Sequence, residues 1–465
     1  MASLEQHPHR TTIDQPKEVA FWFKQNWDRA SAPWRFRYQL RRMSKHTPAR
    51  HGRLLAMAAA LAMILALAAV MTESAQAQTY SVIYNFTGGA DGATPMAGLT
   101  ANGVNSFYGT ANFGGITGGP CGSNGCGLVY RVSNSGSGWT LSPLYSFQGG
   151  TDGQNPGTAG IAFGPDNGLY STTYRGGAGC TSGPGCGTVF KLLPPQGPGQ
   201  PTQWTETILH SFNGPNGIGP VGVPVFDHSG NIDGATNSGG LNNGGVIYEL
   251  SESNNWDEIV LAHPYGYPGS GLTLDHAGNL YGTTFDGGDN FYGSVYKLTP
   301  AGSGYIFTDL YDFTNGNDGA YPQAGVILDS QGDIYGATTT GGSGKGGTVF
   351  KLTFSNGQYV YSTLYSFPSP VNGRIISGPV GNLTMDSAGN LYGTTFSDGA
   401  HGLGAVFKLT PSNGSWTYTS LHDFTNGSDG GLPYSNLVID SQGNLYGTAS
   451  QGGASGVGVV FEITP

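Results

Sequence analysis

The stretch Gly278-Asn279-Leu280-Tyr281-Gly282-Thr283-Thr284, then Gly287-Gly288, then Gly293-Ser294-Val295-Tyr296-Lys297-Leu298, decides the fold. Its two apolar runs have the length and the β-branched and aromatic content of short strands, and glycine separates them. The first run recurs as Leu391 to Thr395. Near copies begin at Phe107, Leu169, Ile334 and Leu445, and a decayed one is Ile232-Asp233-Gly234-Ala235. The second run recurs at Val129, Val189, Ile247, Val349, Val406 and Val460. Each therefore occurs seven times.

Two further runs complete the unit. An apolar run ending in Asp precedes the Leu-Tyr-Gly run, as in Leu272 to Asp275 and Val326 to Asp329. A Leu-Tyr-Ser-Phe run closes the unit, as in Leu144 to Phe147 and Leu364 to Phe367. In chain order these are strands A, B, C and D. The unit repeats every ~56 residues, and four strands per unit are what a propeller blade needs. The reading is an all-β, seven-bladed β-propeller of four-stranded antiparallel blades. The blades fall near 96–147, 159–212, 221–263, 270–313, 324–367, 381–424 and 435–465. The last lacks a strand D. Val82-Ile83-Tyr84-Asn85-Phe86 matches strand D, so 79–86 is expected to complete blade seven, a three-plus-one closure. Apolar residues on both parities, as in Val349, Phe350 and Leu352, fit blades that pack on both faces. Glycine inside strand B removes a side chain where packing is tight.

Composition agrees. Of 465 residues 80 are glycine, 12% are aromatic and only 10% are charged. Disorder, coiled coil and ordinary helical enzymes are excluded. Residues 1–78 carry 11 Lys+Arg against 5 Asp+Glu, whereas 79–465 carry 8 against 24. So acidic a body cannot neutralise a row of phosphates, which argues against nucleic acid. Three segments follow: a basic extension over 1–53, an export signal over 54–78 and the propeller over 79–465. Leu54 to Met71 is an uncharged apolar run of 18 residues, preceded by Arg50 and Arg53 and followed by Ala75-Gln76-Ala77. These are the parts of a cleaved secretory signal, with a retained membrane anchor as the alternative. The extension before it, with Arg35, Arg37, Arg41 and Arg42, reads either as a mis-assigned start, Met43 being the initiator, or as a functional tail. The protein is expected to be secreted, extracellular or periplasmic, and a monomer. Only a retained N-terminal segment would bring it to a membrane.

The pattern Gly-Asn-Leu-Tyr-Gly-Thr-Thr, Gly-Gly, Gly-x-Val-Phe-Lys-Leu resembles the GloVer-type tandem repeat proteins, which are exported bacterial proteins. The resemblance covers essentially all of 79–465. It implies an exported repeat propeller and no established biochemical activity. Members often carry a C-terminal sorting anchor; this sequence departs from that by stopping at Pro465, two residues after the last strand C run.

Candidate sites are few. Cys121, Cys126, Cys180 and Cys186 lie in the B–C loops of adjacent repeats. In an exported chain such spacing reads as Cys121–Cys126 and Cys180–Cys186 disulfides, with a zinc site as the alternative. Asp166, Asp227, Asp275, Asp329, Asp386 and Asp440 end strand A and read as turn formers. Asp91, Asp152, Asp318 and Asp429 follow strand D. They are expected beside the Gly-Gly loops around the channel mouth, where calcium or a sugar could bind. No other cofactor is implied. Arg175 and Arg374, two of three body arginines, sit in loops of the same kind of surface. His210, His263 and His422 are read as strand D residues replacing Tyr. Pro264-Tyr265-Gly266-Tyr267-Pro268 interrupts the repeat, and its aromatics could stack on a sugar or peptide. Gly342 to Gly347 contains Gly-x-Gly-x-x-Gly but joins two strands, so no helix N-terminus awaits a phosphate. No Gly-x-Ser-x-Gly or His-Glu-x-x-His occurs. The leading reading is a non-catalytic propeller binding an extracellular polysaccharide or protein at one face. The alternatives are a propeller-based polysaccharide lyase or glycosidase, and a structural cell-envelope protein.

Overall fold

We describe the fold from a computed structural model, which describes residues 78–465 except 104, 158, 181–182, 196–202 and 371–377. The basic extension and the apolar run of the export signal lie outside the described residues. Among the described residues no helix is long and apolar enough to cross a membrane. Seven four-stranded antiparallel sheets follow the order A-B-C-D. Blade four, with Thr273–Leu274, Leu280–Thr284, Ser294–Ala301 and Gly304–Asp312, shows the regular form. Blade seven takes strands A to C from Val438–Ile439, Leu445–Ala449 and Val459–Thr464, and its strand D is Thr79–Asn85. Thr79 pairs with Thr464 and Asn85 with Val459, so the termini close the ring in the three-plus-one manner.

One contact recurs within the blades. The strand B glycine lies opposite the strand C aromatic: Gly282 faces Tyr296, Gly336 faces Phe350, Gly393 faces Phe407 and Gly447 faces Phe461. The ring folds back across the glycine, where a Cβ on Gly282 would lie 2.3 Å from the Tyr296 hydroxyl. Strand C then sends neighbouring side chains to opposite faces, as the pleat requires. Val295 packs towards blade five with Val326, Phe350 and Leu352, while Tyr296 packs towards blade three with Val221 and Ile247. Buried apolar clusters of this kind fill all seven blade–blade interfaces. At the closure, Phe86, Tyr446 and Val460 of blade seven pack on Leu99, Phe107 and Tyr130 of blade one.

The outer rim holds a second inter-blade contact. Tyr80, Tyr361 and Tyr418 of strand D stack on the preceding blade's His422, Tyr311 and Tyr365 at 3.7, 4.5 and 4.6 Å between ring centroids. In blades two and three this position is Glu206 and Glu258, opposite Leu192 and Leu250. Glu258 meets His210 of blade two at 3.5 Å. One Glu206 carboxyl oxygen is buried without a hydrogen-bond partner. Burial first, and Asp152 second, push that carboxyl up to about 8.

Two readings of the sequence are changed by the strand register. Ile247 pairs with Ala262, as Val295 pairs with Tyr311, so Ala262 and not His263 takes the strand D tyrosine position in blade three. Strand A is only two residues long in six blades, yet it runs over Ile218–Phe226 in blade three. The cysteines pair as expected: Cys121 with Cys126 and Cys180 with Cys186, at Cα separations of 4.8 and 5.6 Å.

Three outcomes follow from this packing. Deleting 79–86 exposes the strand C edge of blade seven and uncovers Phe107 and Tyr130; the variant should aggregate and melt well below the parent in a thermal scan. Gly282→Ala should cost about 1–3 kcal/mol in denaturant unfolding, because backbone and Tyr296 ring compete for one space. Glu206→Gln addresses pH. A carboxyl raised in the folded state contributes stability below its unfolded value, near 4.5, and loses it as pH rises through about 8. The parent's melting temperature should therefore fall more steeply than that of Glu206→Gln between these limits, and the variant should be the more stable at the alkaline end.

Candidate functional site

The aspartates of the repeat build turns. Asp275 accepts from the Ala277 and Asn279 amides, both at 2.9 Å, from the Asn279 side chain at 2.7 Å and from the Tyr281 hydroxyl at 3.0 Å. Asp386 makes the same four contacts. Burial alone would raise the Asp275 carboxyl, but these donors, the Asn279 side chain foremost, hold it below the usual carboxylate value.

The second set is also saturated. Asp318 accepts from the Tyr311 hydroxyl at 3.1 Å, the Thr314 amide at 2.8 Å and the Thr314 hydroxyl at 2.7 Å. Asp91 does the same with Tyr84 and Thr87, and Asp429 with His422 and Thr425. Asp152 accepts from Tyr145 and the Gln148 amide. Their partners lie on or just after strand D, the outermost strand, and none of the four lines the axial cavity. They do sit on the face that carries the Gly-Gly loops. These D–A loops bridge the B–C loop of the blade they lead into, at Ala93 with Phe113, Gln154 with Arg175, Ala320 with Thr340 and Gly431 with Gln451. Arg175 is exposed there, and Arg374 lies outside the described residues.

The residues entering strand A line an axial cavity of about 310 Å³. Its wall mixes glycine backbone, apolar side chains such as Met96, Val223 and Leu272, and the amide side chains of Asn237, Asn382, Asn436 and Gln323. Asn382 is fixed by accepting from the Gly325 amide at 2.7 Å and from Ser270 at 3.3 Å. Gln323 donates to the Tyr434 hydroxyl at 2.9 Å, while its buried carbonyl oxygen has no partner. Among the described lining residues there is no Asp, Glu, His, Lys or Arg. A wall of this kind offers hydrogen bonds in both directions and little charge.

A run of aromatic rings on the loop face leads towards that cavity. Tyr265 and Phe291 are 61% and 63% exposed with ring centroids 6.3 Å apart. Next to Phe291 in the chain, Tyr292 meets Tyr321 edge-on at 5.7 Å, and Tyr321 stacks on Phe285 at 5.2 Å. Tyr321 stands two residues before Gln323, whose partner Tyr434 meets Phe396 at 5.1 Å. Phe291 and Tyr321 both have left-handed backbone, with φ of 63° and 57°, conformations that bulky residues seldom adopt. The Pro-Tyr-Gly-Tyr-Pro run announced Tyr265. Phe291, Tyr292 and Tyr321 carried no sequence signal, because each replaces a different ordinary loop residue.

Comparison with known proteins places the chain. The loosely similar solved structures include a Bacteroides uniformis protein provisionally assigned as a 6-phosphogluconolactonase, with 14% identity over 69% of this chain and 84% of that one and a TM-score of 0.44. A protein from Lactobacillus plantarum has 12% identity over 74% and 89%, with a TM-score of 0.48. An ulvan lyase from a polysaccharide lyase family has 11% identity over 80% and 93%, with a TM-score of 0.46. No curated protein matches the sequence. A model of the Gloeobacter/Verrucomicrobia repeat matches residues 67–263, 199–375 and 260–461. These matches span nearly the whole propeller and its repeats, and the chain belongs to the Gloeobacter/Verrucomicrobia repeat family.

Proposed function

We propose that this protein is an exported, non-catalytic binding propeller that holds an extended polysaccharide on its loop face, from the Tyr265–Phe291 pair towards the axial cavity. The exposed ring pair carries the reading. Two large apolar rings held in water cost free energy unless something covers them, and flat rings suit the apolar faces of sugars. The amide-lined cavity beyond would meet hydroxyl groups in both donor and acceptor roles. The apolar run Leu54 to Met71 supports export, and both disulfides suit an oxidising compartment.

A polysaccharide array with a turnover readout tests this. The parent should bind a subset of neutral or weakly charged glycans without releasing oligosaccharides. Tyr265→Ala combined with Phe291→Ala should weaken that binding by about tenfold, on the scale of aromatic contact energies. Release of product would make the protein a lyase or glycosidase. Unchanged binding in the double variant would remove the ring pair from the site.

A further inference from the structure

Blade three breaks a pairing rule that five other blades obey. In those, a strand B tyrosine lies opposite a strand C cation: Tyr108 and Arg131, Tyr170 and Lys191, Tyr281 and Lys297, Tyr335 and Lys351, Tyr392 and Lys408. The cation lies 5.2–6.0 Å from the ring centroid. In four of these blades the tyrosine hydroxyl also donates to the A–B turn aspartate. The position thus combines one carboxylate, one phenol and one cation.

In blade three the opposed pair is Asp233 and Glu249, and the turn aspartate is Asp227. Both substitutions act in the same direction. The phenol and the cation are gone, and two carboxylates stand in their place beside a third. Asp233 has no accessible surface, and neither of its carboxylate oxygens has a hydrogen-bond partner. Among the described residues none of the three forms an ion pair with Lys, Arg or His. Blade seven shows that a lone acid at the cation position is accommodated otherwise: Glu462 simply accepts from the retained Tyr446 at 2.8 Å. Only blade three loses both the tyrosine and the cation.

We infer that blade three holds a divalent cation, calcium in an extracellular setting, between Asp233 and Glu249, in the place that a lysine or arginine cation fills in the other blades. The donors are all oxygen, which suits a hard cation. Asp227 is engaged by the Ser229 and Asn231 amides and the Asn231 side chain, so it adds field and not ligands. Among the described residues no group of three or more His, Cys, Asp or Glu is placed to hold a metal ion, so the site rests on two carboxylates. Water would complete the shell. Glu249 also lines an open surface pocket with Asn231 and Ser251, which gives an ion a route in. Two carboxylates correspond to a weak site, with a Kd of about 10⁻⁴–10⁻³ M, as in other extracellular calcium modules.

Thermal unfolding and calorimetric titration of the full chain with calcium chloride test this, with magnesium chloride and a chelator as controls. The parent should gain several degrees in melting temperature in millimolar calcium, less in magnesium, and bind one ion. Asp233→Asn should lose the response. So should Asp233→Tyr with Glu249→Lys, which restores the pairing of the other blades and should match or exceed the calcium-free parent in stability. That double variant keeps the test decisive if Asp233→Asn does not fold. A parent indifferent to calcium would overturn the inference and leave a protonated carboxyl pair. A calcium response that survives in the double variant would overturn it as well, by placing the ion elsewhere.

Discussion

A glycine under an aromatic ring sets the geometry of this molecule. Strand B lies flat against a strand C tyrosine or phenylalanine at Gly282 and its counterparts Gly109, Gly234, Gly336, Gly393 and Gly447, which offer no side chain, while in blade two the buried Ser171 faces Phe190. The ring is thereby fully buried, as at Tyr296, Phe350 and Phe407. With the ring fixed, the next strand C residue must point to the other face, so each blade presents apolar surface to both neighbours. A sheet with two apolar faces has no stable existence alone. It has to be sandwiched, and a closed ring is the arrangement that sandwiches every blade.

Ring closure is reinforced on the loop face by a second steric match. The glycine before strand C packs against the proline that leads into the next blade: Gly127 on Pro156, Gly293 on Pro322, Gly404 on Pro433 and Gly458 on Pro95. The residue before the proline takes left-handed backbone at Thr94, Asn155, Tyr321 and Leu432, and its amide donates into the previous blade, as Thr94 does to Val457 at 2.8 Å. Proline fixes one side of the link and glycine clears the other. The contact from blade seven to blade one is of the same kind as the other three.

This division explains what the sequence made legible. Positions that repeat, such as Gly282, Tyr296 and Asp275, are dictated by strand pairing and turn chemistry, and their recurrence in six or all seven blades exposes that role. Closure by Thr79–Asn85 could be read because the missing strand has a recognisable pattern. The disulfides could be read because five or six residues of separation allow little else. What could not be read depends on register and on non-local approach. A bulge in strand D decides whether Ala262 or His263 faces inward. Whether an aspartate after strand D faces the axis or the rim depends on where Tyr311 or His422 reaches. The aromatic run is assembled from three loops that share no motif.

The unrepeated positions are concentrated in blades two to four. Glu206 and Glu258 replace rim aromatics, Asp233 and Glu249 replace a tyrosine and a lysine, and Tyr265 and Phe291 add exposed rings. The changes at Glu206, Glu258, Asp233 and Glu249 give up interactions that stabilise the ring elsewhere. At Asp233 and Glu249 two partners of one opposed pair change together. The other blades hold the frame, and one sector is free to depart from it. In a repeat architecture the place to look for chemistry is therefore the sector where the repeat rule fails at partnered positions together, because a single failure weakens the fold and a paired one builds something new.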